Sequence, residues 1–250
     1  MSLPEADSAT VWLTMTPDER ACYDQQRKYW SFPYGEMHRL RFEMSQAKLR
    51  QACSHYYWTA QGVEQAHARL AALGPSNFTK FKALLDDLAI LRASDAHMHA
   101  VVFTSSVKCH DALVALLKQK SFVVCGFKGG DNSSKRDEAI RTFQASLKDV
   151  SKAKPTVFVV TTKAGSVGVT LTAASRVYMM EPALDPAAEA QAAGRVHRLG
   201  QTKDVLVKRF AFKDSLDANI ITLHGEIKQG RIKVVDGMLC SKAMDILRKK

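Results

Sequence analysis

The 250-residue chain lacks several features that would mark common protein classes. Its five cysteines, Cys22, Cys53, Cys109, Cys125 and Cys240, include no C-x-x-C pair. That argues against a disulfide framework or a zinc module and fits a reducing compartment. The longest apolar runs, such as Ala100–Phe103 and Thr156–Val160, are far too short to span a bilayer. The opening MSLPEADSAT is acidic and polar, so it does not read as a secretory signal. No glycine is followed by lysine, which excludes a P-loop, and no credible magnesium-binding acidic pair is present. Asp137-Glu138-Ala139 has the letters of such a pair, but the pattern places it in the first turn of an amphipathic helix. Acids there complement the helix dipole. His97, His99 and the Cys109-His110 pair have no neighbours to complete a tetrahedral metal set, so they read as ordinary residues.

What is present is globular and basic. A hydrophobic share of 46% and a charged share of 24% fit a folded chain rather than a disordered one, and the length can bury a substantial core. The net charge of +11 points to a polyanionic partner. The surplus is uneven: Gln191 to Lys250 holds 13 Lys/Arg against 6 Asp/Glu. Membrane-surface binding is disfavoured, because no basic amphipathic helix stands apart from the fold.

Hydrophobic periodicity divides the chain in two. The first 94 residues read as helical. Thr16 is the expected N-cap of a helix with Pro17 at its first position. A second helical stretch runs from Glu36 to about Leu73, and a third from Asn77 to Leu91. Beyond His99, strands alternate with helices: AVVFTS, FVVCGF, TVFVVTT, SRVYMME and DVLVKRFAF are separated by helical patterns, with Pro186 to Val196 predicted as one helix. This predicts an α/β fold with a mainly parallel sheet covered on both faces. Ligands meet such sheets at the carboxyl ends of the strands. The loops expected there are Thr104–Ser106, Phe127–Arg136, Thr161–Gly168 and Glu181–Pro186, rich in groups that bind phosphate.

The stretch QAAGRVHRLGQ, Gln191 to Gln201, carries the sharpest signal. On a helix Arg195 and Arg198 would share one face. Alone, such a pair reads as a solvated basic helix end. In order with AVVFTSS, FKGGDNSSKRDEAIRTFQ and TTKAGSVGVTLTAASRVYMMEPALDPAAEAQ, it resembles the second RecA-like lobe of SNF2-family DNA translocases, most similar to the Rad5, HLTF and SHPRH branch. The resemblance covers Ala100 to about Ile221. TPDERACYD and LRQACSHYYW are similar to the helical segments that lead into that lobe.

The resemblance implies a division at residues 1–94 (helical lead-in from an absent first motor lobe), 95–230 (RecA-like lobe) and 231–250 (basic tail). It implies that Arg198 is an arginine finger for the γ-phosphate of ATP, with Arg195 as its partner. An arginine finger can be worth about 10³–10⁵ in turnover. Gln191, Gly165, Gly168 and Gly194 are then expected on the nucleotide side. Lys163, Thr161, Thr162, Arg136, Gly129, Gly130, Ser133 and Ser134 are expected along the DNA backbone, with Ser133 or Ser134 as a helix N-cap. ATP and Mg2+ would be held mainly by the missing lobe, so this chain alone is expected to be inactive. Its partners would be double-stranded DNA, the first lobe, and nucleosome or replication-fork proteins, in a nucleus if the source is eukaryotic. The chain departs from the family pattern at Ser166, Thr170 and Leu184-Asp185. A non-catalytic interaction module and an RNA helicase lobe are the rival readings, and stimulation by duplex DNA rather than RNA would separate the second.

Overall fold

The computed structural model describes residues 6–30, 64–145, 154–165, 168–232 and 240–248. Two runs with nearly continuous apolar character, β2 (His99–Thr104) and β4 (Thr156–Thr161), are buried at every position. Such runs suit the centre of a parallel sheet, where both faces are covered. The other strands are β1 (Ala6–Leu13), β3 (Val123–Phe127), β5 (Arg176–Met179) and β6 (Val205–Phe212). The sheet has six strands in the order β1-β6-β5-β2-β4-β3. Every pairing is parallel.

Alternation along the strands sorts the core. Ala100, Val102, Val157 and Val159 face helices α1 (Pro17–Trp30), α2 (Glu64–Leu73), α3 (Thr79–Ser94) and α4 (Val107–Gln119), meeting Leu70, Leu84, Leu88, Leu113 and Leu117. Val101, Phe103, Phe158 and Val160 face the opposite side, where α5 (Ser133–Ala145) and α6 (Pro186–Ala193) contribute Phe143 and Ala192. A third cluster joins Tyr23 and Phe212 to α7 (Leu216–Lys228) and α8 (Ser241–Arg248).

Two regions differ from the expectation. Within the stretch read as helical, Ala6–Leu13 is an edge strand paired with Val205–Phe212. It is held by the backbone ladder, and its first four residues are exposed, so it has no apolar stripe to announce it. Within the stretch read as a basic tail, Ser241–Arg248 is a helix that buries Ala243, Ile246 and Leu247. The segment LRQACSHYYW lies outside the described residues.

The first helix starts as predicted. The Thr16 N–H donates to Glu19 Oε2 at 2.8 Å, and the Glu19 N–H donates to Thr16 Oγ1 at 3.3 Å, a reciprocal capping box. Glu19 is fully buried and also accepts from the Thr79 N–H and hydroxyl at 2.8 and 2.6 Å. One carboxylate therefore starts both α1 and α3.

Candidate nucleotide and nucleic-acid interface

After β3 the chain turns sharply. The Lys128 N–H donates to Asp131 Oδ2 at 2.8 Å, and Gly130 has φ +93°, a conformation that favours glycine. The Gly129 N–H donates to Thr161 Oγ1 at 3.2 Å, which joins the Phe127–Arg136 loop to the end of β4. Thr161 is buried, so its side chain ties two loops together. Asn132, not a serine, caps α5: its Oδ1 accepts the Lys135 N–H at 2.9 Å. Asn is an equally good N-cap, and Ser133 and Ser134 are left as exposed residues of the first turn. The Arg136 guanidinium lies 5.5 Å above the centre of the Phe127 ring. Asp137 and Glu138 are exposed but lie past the first turn of α5, which contains no acid. The helix starts at Ser133, so the dipole does not account for them.

Beyond β4, Thr162–Gly165 makes a single helical turn, with Lys163 exposed. Gly165 packs on the sheet, where a Cβ would stand 3.0 Å from Phe103 Cε1 and 3.4 Å from Val160 Cγ2. Gly168 has φ +32°. Ser166 lies outside the described residues.

Asp185 accepts the Ala187 N–H at 2.9 Å and caps α6 with Pro186 behind it. This departure from the family pattern thus keeps the helix start. The helix then ends earlier than predicted. It stops at Ala193 with Gly194 as C-cap, and the chain continues in tight turns through Arg195 N–H to Ala192 O (3.2 Å) and Val196 N–H to Ala193 O (3.0 Å). Arg195 and Arg198 therefore stand on a turn rather than on one helical face. Glycine is a poor helix former, and Val196 is drawn into the core.

Three contacts set this turn against the segment that follows Gly168. Arg195 O accepts the Leu171 N–H at 2.8 Å. Arg198, exposed, donates to Thr170 Oγ1 at 3.3 Å, so the second departure is in contact with the candidate finger. The buried Gln201 donates through Nε2 to the carbonyls of Thr172 (3.3 Å), Ala174 (2.7 Å) and Val196 (3.2 Å). Its Oε1 accepts from the Thr202 and Lys203 N–H groups at 3.0 and 2.9 Å. Gln191 is exposed on α6.

Gln201 had no assigned role in the sequence reading. A second omission is Glu189, buried on α6, which accepts the Ala183 N–H at 2.7 Å and pairs with the Arg209 guanidinium. The Ala183 carbonyl sits 2.8 Å from His224 Nε2, and burial lowers the pKa of that imidazole. A lone acid among alanines in PAAEAQAA was the available signal. His99 packs edge-on against Phe143 with ring centres 5.3 Å apart, and burial lowers its pKa as well. Cys22 is pushed up to about 11, chiefly by burial.

Comparison with known proteins agrees with this architecture. The model of the helicase conserved C-terminal domain matches residues 79–200. Human helicase-like transcription factor is 34% identical over 151 residues, covering 60% of this chain and 15% of that protein. DNA repair protein RAD5 of Candida albicans is 33% identical over 153 residues, covering 60% and 14%. The chain thus matches about a seventh of the length of these relatives. Among solved structures, the C-terminal part of the Fun30 ATPase domain superposes with a TM-score of 0.67 at 17% identity, covering 99% of this chain and 98% of that one. The Sulfolobus solfataricus SWI2/SNF2 ATPase core in complex with dsDNA gives 0.63 at 22% identity, covering 89% and 44%. Residues 79–200 thus match the helicase conserved C-terminal domain, the chain is homologous to helicase-like transcription factor and RAD5 over about 60% of its length, and it shares the fold of SWI2/SNF2 ATPase C-terminal domains.

Proposed function

We propose that this lobe serves an ATP-dependent double-stranded DNA translocase, contributing DNA-backbone contacts and arginines to a nucleotide bound mainly by another lobe. One observation carries the reading. Hydrogen bonds run from the Gly129 loop to Thr161, and from the Thr170–Leu171 segment just beyond the Thr162–Gly165 turn to Arg198 and Arg195. Loops suited to phosphate and the arginine pair thus share one framework. The Sulfolobus core, which has this fold, is bound to dsDNA, and that supports duplex as the partner.

The chemistry follows from the groups present. Backbone N–H groups, hydroxyls and a lysine bind phosphates without reading bases. A planar guanidinium matches the oxygens of a phosphoryl group bidentately and can stabilise charge that develops on the γ-phosphoryl during transfer. No group of three His, Cys, Asp or Glu suited to a metal occurs among the described residues. The Mg2+ that accompanies ATP and the phosphate cradle belong to another lobe in this reading, and DNA repair or chromatin substrates and a nuclear setting are part of the same proposal.

The test begins with duplex binding by the 250-residue chain. Affinity is expected to be weak, independent of sequence and steeply reduced by salt, with Arg136→Ala and Lys163→Ala lowering it for all sequences alike. Insensitivity to salt would overturn the backbone-contact model. In an enzyme carrying both lobes, Arg198→Lys is expected to cut kcat severely with DNA affinity nearly unchanged, since the contact is made in the transition state. Near-normal turnover by a folded Arg198→Lys enzyme would remove the finger assignment.

A further inference from the structure

Two lysines flank the glycine pair of the Gly129 loop, and neither belongs to the DNA contacts named above. Lys128 Nζ lies 2.7 and 2.6 Å from the two carboxylate oxygens of Asp111. Lys135 Nζ lies 2.7 Å from Asp131 Oδ1. Both acids have other duties: Asp131 Oδ2 accepts the Lys128 N–H at 2.8 Å, and Asp111 Oδ1 stands 3.0 Å from His110 Nδ1. Burial works against the charge of each acid, but hydrogen bonds from Lys128 and His110 to Asp111, and from Lys135 and the Lys128 N–H to Asp131, hold both carboxyls below their ordinary range.

The pairs are open to exchange. The side chains are 30% (Lys128), 58% (Lys135) and 52% (Asp111) exposed. Only Asp131, at 12%, is mostly covered. An ion pair in such a setting contributes little to stability. A DNA phosphate offers an ammonium group the same kind of anionic oxygen, so trading one for the other costs little.

We propose that Lys128 and Lys135 are further phosphate-binding residues, and that Asp111 and Asp131 hold them until a duplex arrives by standing in for its phosphates. This rests on the DNA reading above. The carboxylates give the loop a defined shape without DNA. They also damp binding, because each lysine must leave one anion to reach another.

The experiment uses the purified chain, a short fluorescent duplex and anisotropy over a salt series. Asp111→Asn and Asp131→Asn keep an acceptor oxygen but remove the charge, and each is expected to tighten binding by roughly three- to tenfold at low salt. The salt slope should steepen by about one unit for each lysine released. The gains should vanish when Asp111→Asn is combined with Lys128→Ala, and Asp131→Asn with Lys135→Ala. Asp137→Asn, an exposed acid on the same helix, is the control and should change affinity less. Equal gains from the control, or gains that persist without the lysines, would mean a general field effect and overturn the proposal. Duplex binding by the parent chain with no change in either Asp variant overturns it too, while leaving the DNA reading standing. No duplex binding by the parent chain overturns both.

Discussion

Lysine pairs with a carboxylate in two quite different places here. Lys80 and Asp217 meet at 2.7 Å with side chains 2% and 0% exposed. The Lys80 ammonium also donates to Met180 O at 2.8 Å and stands 5.0 Å from the centre of the Phe212 ring. Lys128 and Asp111 meet at 2.6 Å on the surface. The geometry is alike, and the difference is water. In the interior water and salt do not reach the pair, and its further bonds to Met180 O and from the Phe212 N–H let it fix how α3 meets β5, β6 and α7. At the surface, water and salt compete at all times, so the pair shapes a loop and can still let go.

The largest expected effect would come from breaking the buried pair. Lys80→Met leaves Asp217 buried and uncompensated, with Oδ1 already lacking a hydrogen-bond partner among the described residues. We expect a loss of about 3–5 kcal/mol by urea unfolding. Adding Asp217→Asn, which keeps an acceptor for the Phe212 N–H, should recover part of it. A cost below about 1 kcal/mol would erase the distinction between the pairs.

A smaller effect concerns buried bases without a countercharge of this kind. His99 and His224 have pKa values lowered from 6.5, first of all by burial. The unfolded chain therefore takes up their protons before the folded one does. Their contribution to stability is complete above the ordinary value and is lost as pH falls below it. Melting temperature should fall between about pH 7 and about pH 5.5, and His99→Gln with His224→Gln should flatten that slope. An unchanged slope would locate the acid sensitivity elsewhere.

The smallest effect belongs to the surface pairs. Lys128→Ala or Lys135→Ala should change unfolding free energy by no more than about 0.5–1 kcal/mol, while weakening duplex binding. If either cost as much as Lys80→Met, the pair would be part of the framework and not an exchangeable contact.

The same contrast explains what could be read from the sequence. Strands β2 to β6 and the loops after them were legible, most plainly β2 and β4, where burial on both faces leaves continuous apolar runs. The Thr16 N-cap was legible because its signals, Thr16 and Pro17, are adjacent, and the structure adds the Glu19 half of a capping box three residues on. Lys80–Asp217 was not, since 137 residues separate the pair and neither neighbourhood advertises a buried charge. Strand β1 was missed because an edge strand with exposed side chains has no period to detect. The segment holding Arg195 and Arg198 was given a helix it does not have. Gly194 was expected on the nucleotide side, and in the fold it is also where α6 stops. The role of Gln201 depends on carbonyls at Thr172, Ala174 and Val196, and backbone acceptors leave no trace in a side-chain pattern.

Glu19 carries one more consequence. Its carboxylate closes the first turn of α1 through Thr16 and the first turn of α3 through Thr79. Three positions in two separate segments thus form a single unit of variation. Change at any one alters what the other two are worth, so across related sequences they should drift as a set, with an acid at 19 and hydroxyls at 16 and 79 gained or lost together.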